Sequence, residues 1–115
     1  MELTHKDLDG VRLITIAADR LDAAAAIRFK DDMRALTEDG PERILLDMSQ
    51  VDFLDSSGLG AVVAAMKQLG GGRALELAGL TPTVGKVFSL TRMDTVFTIY
   101  PDVPSALGDD YAHAS

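Results

Sequence analysis

The residues best placed to do chemistry lie in the segment Asp55-Ser56-Ser57-Gly58. An apolar run over 44–46, typical of a buried strand, precedes this segment, and an apolar stripe at helical spacing follows it. The first turn of a helix has free backbone N–H groups and the positive end of the helix dipole, and both favour a phosphate. The segment therefore predicts either a helix cap, with Ser57 sufficient for that role, or a serine that can carry a phosphate.

Catalysis by this chain itself is not expected. A serine nucleophile needs a neighbouring base, and the two histidines, His5 and His113, lie near opposite ends of the chain. The sequence contains no P-loop motif and no calcium-loop spacing. It contains no cysteine, which excludes disulfides, thiolate metal sites and a cysteine nucleophile. We therefore expect no enzymatic activity, no metal and no cofactor.

Composition indicates one globular domain over residues 1–115, with 47% hydrophobic and 25% charged residues. The 18 acidic residues against 11 basic ones give a net charge of −7, which disfavours nucleic acids and anionic membrane surfaces as partners. No apolar run approaches the ~18 residues of a membrane span, and we do not expect residues 1–10 to be a signal peptide, because they lack an apolar stretch. We expect a cytoplasmic protein with a frayed acidic tail from about residue 108.

The elements around the serine segment alternate between strand and helix patterns. Strands are predicted at 3–6, 11–17, 43–48, 73–78 and 96–100, with a hairpin turn at Asp9-Gly10. Helices are predicted after Asp22, after the segment 55–58, from Thr81-Pro82 and after Asp102. This order predicts an α/β fold with about four helices on a mixed, mainly parallel sheet of about five strands, in which the first hairpin is antiparallel.

Two runs of the sequence, 45–49 and Asp55-Ser56-Ser57-Gly58-Leu59-Gly60, resemble the central motif of STAS domains, in particular those of bacterial anti-sigma factor antagonists. Arg20-Leu21-Asp22 is similar to the family's Glu-Leu-Asp corner between the second strand and the first helix. Residues 84–90 and 96–100 are similar to its late helix and last strand. The resemblance covers about residues 3 to 108 and implies a STAS-like fold.

The resemblance also implies a mechanism. Ser56 would be phosphorylated by an anti-sigma factor that is an ATP-dependent serine kinase of the HATPase type. The unphosphorylated chain, monomeric when free, would bind that kinase and release its sigma factor, and a PP2C-type phosphatase would reset the switch. Asp22 would lie beside Ser56 and assist partner binding or phosphorylation. The residues that shape the site would be Asp55, Ser57, Gly58, Leu59 and Gly60, where the two glycines leave room for a partner.

Three residues depart from the family pattern. Asp19 and Arg20 stand where the family often has Gly-Glu, and Arg92 stands where it usually has a small residue. Arg20 could pair with a phosphate, pair with a nearby aspartate, or remain solvated. Arg92 could contact a partner or serve as a cation at a helix end.

A second reading of the same resemblance remains open. STAS domains also act as subunits that do not switch, for example in bacterial lipid-transport ABC complexes. Ser56 would then only cap the helix, and binding to the complex would be constitutive.

Overall fold

The computed structural model describes residues 2–108, which form a five-stranded sheet covered by helices. The strands are Leu3–Leu8 (β1), Val11–Ile16 (β2), Arg20–Leu21 (β3), Arg43–Asp47 (β4), Phe53–Leu54 (β5), Ala74–Ala78 (β6) and Ile99–Tyr100 (β7). The helices are Ala23–Leu36 (α1), Ser56–Leu69 (α2), Pro82–Leu90 (α3) and Val103–Leu107 (α4), with a 3-10 turn at Met93–Thr95. The sheet order is β1-β2-β4-β6-β7, and β3 pairs with β5 apart from it.

The sheet is mixed in direction. β1 and β2 form an antiparallel hairpin, whereas β2, β4, β6 and β7 run parallel. Each parallel step is made by a crossover through a helix, as the alternation of strand and helix patterns predicts. The predicted α/β fold, with its antiparallel first hairpin, is confirmed.

Strand β4 forms the centre of the core. Ile44, Leu45 and Leu46 are all fully buried, as their continuous apolar run predicts for a strand covered on both faces. Because side chains alternate along a strand, Ile44 and Leu46 join the main core under α1, α2 and α3. Leu45 points to the opposite face, where it packs with residues of the short helix α4. The two-sided cover fixes β4 and the residues that follow it.

The last strand is shorter than predicted. Only Ile99 and Tyr100 form β7, whereas residues 96–100 were expected to be extended. The backbone N–H groups of Val96 and Phe97 both donate to the carbonyl of Met93, so the chain is still turning there. This turn places the ring of Phe97 edge-on against Phe88 in the core, with 5.9 Å between ring centroids. A buried aromatic contact therefore replaces strand pairing at this position.

Other boundaries differ slightly from the prediction. β1 is two residues longer than predicted, β2 and β4 each end one residue earlier, and β6 begins one residue later. The predicted fraying of the acidic tail concerns residues 109–115, which lie outside the described residues. Within residues 2–108, no helix has the length and apolar character needed to cross a membrane.

Arg92 has a strained backbone. It follows the end of α3 with φ of +63°, in the left-handed region that favours glycine. This geometry explains why a small residue suits the position, since a helix commonly ends with a left-handed glycine. Arg92 is therefore not a cation in the last turn of α3 but the residue that reverses the chain after it.

We expect the Arg92→Gly variant to be more stable than wild type. Relief of left-handed strain, about 1–2 kcal/mol, exceeds the extra entropy of glycine in the unfolded chain, about 0.4–1 kcal/mol. The free energy of unfolding, measured by urea denaturation, should rise by about 0.5–1 kcal/mol. Arg92→Ala is the control, because it removes the charge and keeps the strain. A gain as large in Arg92→Ala would assign the effect to charge instead.

Candidate functional site

Two very short strands bring the predicted site residues together. β3 and β5 pair in parallel, with Arg20 opposite Phe53 and Leu21 opposite Leu54. The carbonyl of Asp19 accepts hydrogen bonds from the backbone N–H groups of residues 52 and 53, at 2.8 and 3.1 Å. Each strand leads directly into the first turn of a helix, β3 into α1 and β5 into α2. The pairing therefore sets the two helix N-termini side by side.

Asp55 joins these two helix starts. Its Oδ1 accepts a hydrogen bond from the backbone N–H of Gly58 at 2.8 Å, so Asp55 is the N-cap of α2. Its Oδ2 accepts one from the backbone N–H of Ala23, the first residue of α1, at 3.2 Å. One carboxylate thus satisfies an otherwise unpaired donor in each helix. Asp55 therefore holds the starts of α1 and α2 together, and its role in shaping a partner site stays a prediction.

Asp22 caps α1. Its Oδ1 accepts a hydrogen bond from the backbone N–H of Ala25 at 3.2 Å, and its Oδ2 accepts one from Arg20 Nε at 3.3 Å. Partial burial acts to raise the pKa of Asp22, but the hydrogen bond from Ala25 and the contact with Arg20 outweigh it, so this pKa lies below its usual value. Asp22 and Asp55 each follow directly after the paired residues Leu21 and Leu54. Ser56 is the residue after Asp55.

Ser56 and Ser57 are the first two residues of α2, and both are exposed. The helix begins three residues earlier than predicted, because Asp55 rather than a serine forms the cap. The interpretation of Ser56 or Ser57 as the cap is therefore wrong. Within residues 2–108, the Ser56 side chain takes part in no hydrogen bond, so its hydroxyl is free to accept a group from outside.

The two glycines of the motif differ in what they do. Gly58 is buried, and a Cβ there would overlap the carbonyl oxygen of Leu21. Its missing side chain therefore serves an internal contact between α2 and β3, a role different from the predicted opening toward a partner. A Cβ on Gly60 would meet nothing within 4 Å, so this position does leave open space at the surface. Leu59, between them, is half-buried against the core.

A stacked pair that sequence reasoning missed borders the site. The Arg20 guanidinium lies over the Phe53 ring, with 4.1 Å from its central carbon to the ring centroid. Phe53 is 38% exposed although it is a large aromatic residue. The signal for the contact was weak, because the two residues are 33 positions apart and only the unpredicted β3–β5 pairing joins them. Within residues 2–108, no three His, Asp or Glu side chains are grouped closely enough to hold a metal ion.

Comparison with known proteins identifies the family of this chain. The model of the STAS domain family matches residues 3–106. The chain belongs to the STAS domain family. The predicted resemblance to this family is confirmed.

Similar STAS proteins carry consistent names. The chain is 30% identical over 100 residues to BtrV of Bordetella bronchiseptica, named as a candidate anti-sigma factor antagonist, covering 86% of this chain and 85% of BtrV. It is 26% identical over 100 residues to the anti-sigma-B factor antagonist of Listeria monocytogenes, covering 86% of each. The crystal structure of an anti-sigma factor antagonist from Mycobacterium paratuberculosis aligns with a TM-score of 0.83 at 27% identity, covering 92% of this chain and 90% of that one.

We expect Gly58→Ala to destabilise the protein. The added Cβ cannot avoid the Leu21 carbonyl oxygen without moving α2, which should lower the free energy of unfolding by about 2–3 kcal/mol. Gly60→Ala is the matched control, since its Cβ meets open space and alanine favours a helix by about 1 kcal/mol. Urea denaturation of both variants measures the difference. Equal effects of the two substitutions would contradict the close approach at Gly58.

We expect Asp22 to contribute a pH-dependent part of the stability. Because its pKa is lower in the folded protein, the contribution is present above the unfolded value of about 3.9 and is lost as the pH falls through the folded value. Asp22→Asn keeps the cap without the charge, so wild type should lose more stability than Asp22→Asn on acidification. Urea midpoints from neutral to acidic pH measure this. Parallel pH profiles of the two proteins would refute it.

Proposed function

We propose that this STAS protein is a cytoplasmic anti-sigma factor antagonist controlled by phosphorylation of Ser56. The unphosphorylated form binds an anti-sigma factor that is a HATPase-type serine kinase and thereby releases the sigma factor. Phosphorylation of Ser56 ends this binding, and a PP2C-type phosphatase restores it. The observation that carries the proposal is the exposed Ser56 hydroxyl, free of hydrogen bonds within residues 2–108, at a capped helix start of a STAS domain that is similar to named antagonists.

The division of labour follows from what surrounds Ser56. This chain supplies the acceptor hydroxyl, while the kinase supplies the nucleotide, the metal ion and the catalytic base. Asp22 and Asp55 use their carboxylate oxygens to hold the starts of α1 and α2. Their role in the proposal is to present Ser56 in one geometry. The chain itself is a regulator without catalytic activity.

Electrostatics explains why a phosphate would end binding. A neutral hydroxyl is buried in an interface at little cost, whereas a phosphoserine adds about −1.5 to −2 charges that must be desolvated. The surrounding segments already carry Asp19, Asp22, Asp52 and Asp55. A penalty of about 3 kcal/mol would weaken binding about 100-fold. Because the first turn of α2 is formed and capped beforehand, the proposal requires exclusion of a partner and no refolding.

The proposal is tested by affinity capture from a lysate of the source organism. The baits are wild type, Ser56→Ala, Ser56→Glu and the matched control Ser57→Glu, which places the same charge on the neighbouring exposed residue. We expect wild type and Ser56→Ala to capture a small ATPase-fold kinase and Ser56→Glu to lose at least about 90% of it. Mass spectrometry should find phosphate on Ser56 of the wild type.

Other outcomes would contradict the switch. Equal capture of one membrane-transport complex by all four baits, with no phosphate on Ser56, would identify a constitutive STAS adaptor. Equal loss of the kinase with Ser56→Glu and Ser57→Glu would show that local negative charge matters and that Ser56 has no special position.

A further inference from the structure

The pairing of β3 with β5 builds an outward patch next to Ser56. Because side chains alternate along a strand, Leu21 and Leu54 point inward and are buried. The residues before and after them point to the opposite side of the same ladder. This outward patch consists of Arg20, Asp22, Phe53 and Asp55.

The patch has an uneven charge balance. The two segments that form this corner, 17–26 and 49–60, contain four acidic residues and a single basic one, Arg20. A phosphate on Ser56 would add about two negative charges beside Asp22 and Asp55. The local group able to offset that charge is the guanidinium of Arg20.

Arg20 is oriented for such a contact. Its guanidinium lies over the Phe53 ring, with 4.1 Å from the central carbon to the ring centroid, and its Nε donates to Asp22 at 3.3 Å. Its side chain is 57% exposed, and within residues 2–108 its two terminal NH₂ groups have no acceptor. Asp22 and Asp55 directly follow the paired residues Leu21 and Leu54. Asp55 also accepts from the backbone N–H of Ala23, so Arg20, which contacts Asp22, lies at the same corner as the start of α2. Little side-chain ordering remains to be done when a phosphate arrives.

We infer that Arg20 is the ligand of the phosphate on Ser56. In the unphosphorylated protein Arg20 donates a hydrogen bond to Asp22. In the phosphorylated protein its guanidinium reorients above the Phe53 ring and donates its terminal NH₂ groups to the phosphate oxygens. Asp22 keeps its hydrogen bond with Ala25 throughout, so α1 is unaffected. This inference rests on the proposed function only for the choice of Ser56 as the modified residue.

The choice of arginine is consistent with this role. A planar guanidinium can stack on an aromatic ring and donate two parallel hydrogen bonds to a phosphate at the same time. A lysine could supply the charge but neither the stacking geometry nor the paired donors. In this inference the Phe53 ring supports the guanidinium both when it contacts Asp22 and when it contacts the phosphate.

The test uses the full chain with phosphoserine installed at position 56 by genetic code expansion, so that no kinase is needed. The ³¹P chemical shift is followed against pH to give the second pKa of the phosphate. Because a nearby cation favours the dianion, wild type should titrate about 0.5–1 pH unit below Arg20→Gln. Arg20→Lys should fall between them. Arg28→Gln is the matched control, since it removes an exposed arginine of α1 that contacts Asp32.

Two further readouts decide the outcome. Phosphorylation should shift the Arg20 Nε–Hε resonance in wild type. In a Phe53→Leu background, the difference in phosphate pKa caused by Arg20→Gln should be smaller, while the backbone amide spectrum remains that of a folded protein. Equal phosphate pKa values in wild type and Arg20→Gln would overturn the inference, as would an equal change in Arg28→Gln. Because phosphoserine is installed directly, either of these results would overturn the Arg20 contact without contradicting the proposed switch. Absence of a natural phosphoform would instead refute the switch and not the contact.

Discussion

The hydrogen bonds of one carboxylate set the geometry of the site. Asp55 accepts from Gly58 in α2 and from Ala23 in α1, so it fixes the first turns of both helices relative to each other. The close approach of Gly58 to the Leu21 carbonyl adds a steric condition, since any side chain there would push α2 away from β3. Together these contacts place Ser56 at an exposed position on a framework that cannot easily shift. In the proposed function, a partner would therefore meet Ser56 in one conformation.

The central sheet and the segment after β4 also hold the site residues in place. β4 is buried on both faces. The segment that follows β4 contains β5, which pairs with β3 and then leads into α2. The hydroxyl of Thr81 donates to the carbonyl of Val51 at 2.8 Å, which ties the same segment to the start of α3. The site therefore lies where the starts of three helices are held by hydrogen bonds from neighbouring segments. These local contacts and the buried strand β4 together position the site residues.

Most of the fold could be predicted from the sequence because its signals are short-range. The apolar run of β4, the cap at Asp22 and the Thr81-Pro82 helix start each depend on residues close together in the chain. The features that were missed depend on distant residues. Strands of two residues carry no periodicity, so β3 and β5 could not be predicted, and neither could the stacking of Arg20 on Phe53 that follows from their pairing. The shortened last strand has the same origin, since the packing of Phe97 on Phe88 overrides a local strand pattern.

The contact between Arg20 and Asp22 gives the site a charge arrangement of its own. An acidic residue at position 20 would leave this corner without a positive charge, and it would repel a phosphate on Ser56. Arginine changes this balance in both states. Without a phosphate it offsets Asp22 and covers part of the exposed Phe53 ring, and with one it can offset the new charge instead. In the proposed switch, the surface offered to a partner would therefore differ between the two states in charge and in the position of the Arg20 guanidinium, without a change of backbone. The proposed switch would need only side-chain motion, because α1 and α2 are already capped.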